Sequence, residues 1–120
     1  MSDWVPFGIQ GFESMNNIFN STGITAKEAI DSMMGQVNIM FLERFSRRPY
    51  IQAMAFFENV LGNPGKQIKL ETLERIGNGL FEIIFEVPGI KTHVYRIAGT
   101  LVREGILPKW KLHGQLTFIE

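Results

Sequence analysis

Cysteine is absent from this 120-residue chain, which excludes disulfide bracing and thiolate chemistry. Aspartate occurs only as Asp3 and Asp31, and histidine only as His93 and His113. That scarcity removes much of the usual material for carboxylate general acid–base pairs and for metal cages. Neither sign of charge is in excess, because 12 Lys and Arg balance 12 Asp and Glu. A protein held to nucleic-acid phosphates or anionic lipid carries a basic field that this one lacks, so nucleic acid is disfavoured as a partner. The longest unbroken apolar run, 53–57, falls far short of the roughly 20 residues that a membrane span needs. The first cation is Lys27, and Pro6, Gly8, Gln10 and Gly11 interrupt the apolar positions before it. The basic start and continuous apolar segment of a secretory signal are therefore missing. The expectation is a protein without signal peptide or membrane span, cytoplasmic or assembled into a particle.

Hydrophobic residues make up 45% of the chain, enough for one domain over 1–120 with a genuine core. Its beginning is unusual. Trp4, Val5, Phe7, Ile9 and Phe12 lie along a stretch that Pro6, Gly8 and Gly11 keep irregular, which describes an apolar N-terminal arm over 1–20, closed by a short helix over 12–20. Thr25 and Glu28 then form a capping box, in which a hydroxyl and a carboxylate satisfy orphan N–H groups at the start of a helix. Ile30, Met33, Val37, Met40 and Phe41 continue it at helical spacing. Pro49 opens a second helix over 49–61, carried by Tyr50, Met54, Phe57 and Leu61, with Gly62 after its end. The helical region is thus 24–62.

From residue 66 the period changes to two. Ile68, Leu70 and Thr72 alternate with Lys69 and Glu71, the GNG of 77–79 reads as a hairpin turn, and Phe81, Ile83, Phe85 and Val87 resume in phase. Two more strands follow, over 92–103 and 109–119. On the last, Trp110, Leu112, Leu116 and Phe118 share one face and His113, Gln115 and Thr117 the other. The whole predicts an α+β fold, with the arm and two or three helices packed on a four-stranded antiparallel meander over 66–119. In order of elements it resembles nuclear-transport-factor-like and cystatin-like domains, whose helices fill the concave side of a curved sheet; the resemblance implies that architecture and no active site.

The candidate site residues fall into groups. His93 and His113 lie on neighbouring strands, but the lysines beside them repel a cation, so no metal and no cofactor are expected. Asp31, Tyr50, Tyr95 and His93 are the material for an isomerase-like pocket, yet the inward positions are nearly all apolar. Met33, Met34, Met40 and Met54 read as core filling. Arg44, Arg47 and Arg48, with Lys109, Lys111 and His113, form a candidate basic or polar contact. Leu80 and Ile84 are apolar on the outer side of their strand and, with Trp4, Val5, Phe7, Ile9 and Phe12, exceed what one core can absorb. These last seven define a candidate interface. The expected function is non-enzymatic: a protein–protein interaction or assembly module, a homo-oligomer or part of a larger complex such as a phage particle or secretion apparatus. The alternative is a lipophilic small-molecule-binding protein or isomerase-like enzyme.

Overall fold

A computed structural model describes residues 18–51, 56–58 and 66–120. The hydroxyl half of the capping box forms as expected, Thr25 Oγ1 accepting the N–H of Glu28 at 3.1 Å, whereas Glu28 Oε2 reaches one residue past the cap and accepts the N–H of Ile24 at 2.9 Å. Helix α1 (Ala26–Phe45) starts there and ends at Ser46, left-handed at φ 55°, whose N–H donates to the Leu42 carbonyl. One side of α1, comprising Ala26, Ala29, Met33, Met34, Val37, Phe41 and Phe45, is buried against a sheet.

Among the described residues the sheet has seven strands, all of its pairs antiparallel: β1 (Ile18–Gly23), β2 (Tyr50–Ile51), β3 (Phe56–Glu58), β4 (Gln67–Ile68), β5 (Asn78–Val87), β6 (His93–Arg103) and β7 (Trp110–Phe118). Their order is β1-β7-β6-β5-β3-β4, and β2 also pairs with β5. The meander β5–β6–β7 is the expected one, with Trp110, Leu112 and Leu116 buried and Lys111, His113, Gln115 and Thr117 exposed. A short helix α2 (Leu70–Ile76) precedes it.

Three expectations are corrected. The helix over 12–20 does not extend to its end, because Ile18, Phe19 and Asn20 belong to β1 and pair with Gln115, Gly114 and His113. Its Asn, Ser, Thr and Gly are poor helix formers, and β7 supplies the backbone partners. The helix over 49–61 is replaced where the structure is described: Tyr50–Ile51 and Phe56–Glu58 pair with the free side of β5, so among the described residues of 24–62 the helix covers Ala26–Phe45. Apolar residues in a short segment satisfy either period, and an available sheet edge decided between them. The strand expected from residue 66 contains only Gln67–Ile68 before α2 begins. Gly77, at φ 89°, donates its N–H to Leu73 and ends α2; the GNG segment is therefore a helix cap leading into β5 rather than a hairpin.

Register explains the core. Across the inner face Phe19, Gly114, Gly99, Phe81 and Phe57 stand in one row. A side chain on Gly99 would collide with the His113 carbonyl oxygen, and one on Gly114 would meet the Phe81 ring at 3.0 Å and Met33 Sδ at 3.5 Å. The paired glycines make room for the Phe81 ring beneath α1. Toward the other end of the sheet, Phe41 packs on Phe45, Phe85 and Tyr95 with ring centroids 5.0–5.6 Å apart, and Phe118 lies 5.3 Å from Tyr95. Such pairs add about 0.5–1.5 kcal/mol each beyond burial. At the opposite end Glu74 Oε1 of α2 accepts the N–H of Ala26 at 3.1 Å, tying the short helix to the start of the long one.

Candidate functional site

On the outer face, the alternation of β5 turns Leu80, Glu82, Ile84 and Glu86 away from α1, and that of β6 turns Val94, Arg96, Ala98, Thr100 and Val102 the same way. Between β3, β5 and β6 this face sinks into a groove of ≈ 580 Å³. Small residues, Ala98 and Gly99, leave its floor low, while Phe56 and Leu80, each 37% exposed, line it with larger apolar groups. Glu58, Glu82 and Arg96 add charge, with Glu82 and Arg96 joined as an ion pair. The pair is open to solvent and contributes at most about 1 kcal/mol. The groove can hold apolar side chains.

A second apolar feature lies at the turn joining β6 to β7. Ile106 is fully exposed and Leu107 58% exposed, with Ile24, 64% exposed, alongside. These three border a recess of ≈ 490 Å³ shared with Glu74, Arg103 and Trp110. The turn is well determined: Glu104 donates to Lys109 O at 2.8 Å, Leu107 to Glu104 O at 3.2 Å, and Lys109 to Leu107 O at 2.7 Å. Lys111 and Lys109 stand 3.2 and 3.6 Å from the Glu104 carboxylate. Lys111 first, then Lys109, keeps that carboxyl ionised below its ordinary range.

Of the candidate interface residues, Leu80 lines the groove and Ile84, half-buried, lies one row away opposite Arg96. Trp4, Val5, Phe7, Ile9 and Phe12 lie outside the described residues. The basic group does not assemble. Arg44 lies in the last turn of α1 and Arg47 and Arg48 follow its end, with Arg47 beside Gly89 in the β5–β6 turn. Lys109 and Lys111 sit at the other end of β6, roughly 30 Å away at the rise of a strand. His113 instead donates from Nδ1 to Asn20 Oδ1 at 2.8 Å.

The histidines do not meet either: His93 is buried on the inner face, while His113 is exposed on the outer face opposite Thr100, seven residues along β6. Burial, reinforced by Lys91, holds the His93 pKa below its ordinary value. The pocket candidates scatter as well. Asp31 bonds to Lys27 on the exposed side of α1, Tyr50 is exposed, and Tyr95 is enclosed among Phe41, Phe85 and Phe118. Burial raises the Tyr95 hydroxyl pKa far above the phenol range. Met33 and Met34 are core residues and Met40 packs against the core; Met54 lies outside the described residues. Among the described residues no group of three His, Cys, Asp or Glu is placed to hold a metal, and no helix is long and apolar enough to cross a membrane.

Sequence reasoning missed Phe56 and Glu58, hidden inside the expected helix over 49–61. It also passed over Ile106 and Leu107, whose signal was plain: two apolar residues between Gly105 and Pro108, in a turn where no strand can bury them. No family model, curated protein or solved structure matches the chain, so its chemistry rests on this geometry.

Proposed function

We propose that this chain is a non-enzymatic assembly module that self-associates, or joins a larger complex of the phage-particle or secretion-apparatus kind, through its N-terminal arm and the outer face of its sheet. The observation that carries the reading is the outer-face groove lined by Phe56 and Leu80. An apolar recess on the solvent side of a sheet serves no core and fits a partner's side chains. The inner face favours the same reading over a lipophilic-ligand pocket: the space between α1 and the sheet is occupied by Met33, Val37, Phe41, Phe81, Phe85 and Tyr95, each nearly or fully buried. The dispersal of the basic residues disfavours nucleic acid. The likeness to nuclear-transport-factor-like and cystatin-like domains belongs to the same proposal, supported by a helix lying across one face of an antiparallel sheet.

Sedimentation velocity over a range of concentrations tests the proposal. The wild type should associate; Leu80→Arg, and separately Trp4→Ala with Phe7→Ala, should weaken association while leaving the dichroism spectrum unchanged. A wild type that stays monomeric at every concentration and captures no partner from its source removes the proposal.

A further inference from the structure

We infer that the apolar tip between β6 and β7 of one copy seats in the outer-face groove of a second copy, head to tail. The inference rests on self-association and specifies two of the surfaces that make it. The tip offers Ile106 and Leu107 to solvent. Within the turn the Leu107 and Lys109 N–H groups are already bonded and Pro108 has none, so these three positions bring no free donor to a contact. The groove is concave, with Ala98 and Gly99 at its floor, Phe56 and Leu80 along it, and a volume of ≈ 580 Å³ that admits both aliphatic side chains. Charge is complementary. Around the tip Arg103, Lys109 and Lys111 outnumber Glu104 and Glu74, and around the groove Glu58 and Glu82 outnumber Arg96. Docking therefore brings an excess of cations to an excess of carboxylates.

The tip that enters a groove must come from another molecule. β6 runs unbroken from His93 to Arg103, so the turn beyond Arg103 points away from Ala98 and cannot return to its own groove. Because two different patches meet, each copy both donates a tip and offers a groove. Repetition of such a contact gives a ring or an open filament.

Two variants test this. Ile106→Asp spoils the tip, and Leu80→Asp spoils the groove. Both positions are exposed, so dichroism and the melting midpoint should match the wild type. Alone, each should associate at least tenfold more weakly than the wild type. Mixed in equal amounts, the intact groove of the first receives the intact tip of the second, giving a two-chain species and nothing larger. A mixture that sediments as monomers overturns the inference, as does either variant associating alone like the wild type. In the latter case self-association stands and another surface carries it. A monomeric wild type overturns both. If an aspartate variant loses its fold, Ile106→Ser and Leu80→Ser carry the same mixing test, read by the same criteria.

Discussion

The two faces of the sheet are built from the same strands to different ends. The inner face is continuous and apolar: a row of phenylalanines bridged by two glycines, then a cluster of rings closed by α1. The outer face is a mosaic in which Leu80, Ile84 and Ala98 alternate with Glu82, Glu86, Arg96 and Thr100. Period-two alternation assigns each residue to a face, but it is the helix that turns one face into a core. The other keeps apolar groups that no element among the described residues covers, and these are available for recognition. Stability should therefore reside on one face and association on the other.

The strongest attempt to break that division is Phe41→Ala. The ring is fully buried and meets Phe45, Phe85 and Tyr95, so its loss should cost about 3–5 kcal/mol, read as a lower urea midpoint at unchanged slope. Next is Gly99→Ala, at a position that belongs to both faces, in the inner row and at the groove floor. The added methyl collides with the His113 carbonyl, so β6 and β7 must part slightly. A loss of about 1–3 kcal/mol is expected in denaturant unfolding.

A smaller effect should follow from His93, the histidine buried on the inner face. Its folded pKa is lowered by burial and by Lys91, so both states are neutral above the ordinary histidine value of about 6.5. As pH falls through that value the unfolded chain takes a proton that the folded one refuses, and stability declines until the lower folded pKa is reached. Unfolding at pH 7.5 and 5 should show a steeper acid loss for the wild type than for His93→Gln. The smallest change is expected from Leu80→Ser on the outer face: within about 0.5 kcal/mol in the melt, although association should weaken. A Leu80→Ser variant as unstable as Phe41→Ala would erase the distinction between the faces.

Legibility in the sequence followed the length of the signal. Thr25 and Glu28 announced α1, and the long alternations through Phe81 to Val87 and Trp110 to Phe118 announced β5 and β7, because many residues repeat one period there. Between Arg47 and Gly79 the described segments are short: a distant partner, β5, decided the conformation of Tyr50 and Phe56, and the helix ahead of Gly77 is only seven residues long. The groove was half legible. Leu80 declared itself by being apolar on the wrong side of its strand, whereas Phe56 could be placed beside it only once β3 was known to pair with β5. Packing among residues far apart in sequence is what a local period does not encode.

The pairing of β1 with β7 also sets a schedule for the chain as it is made. Ile18 stands in register with Gln115, so β1 leaves the ribosome long before its neighbour exists. At about 5–20 residues per second that wait lasts several seconds. Throughout it Phe19, the side chain this strand sends into the core, has no sheet to enter. Among the described strands the last to be synthesised is therefore the one that admits the first, and translation halted before residue 110 leaves β1 without its pairing partner.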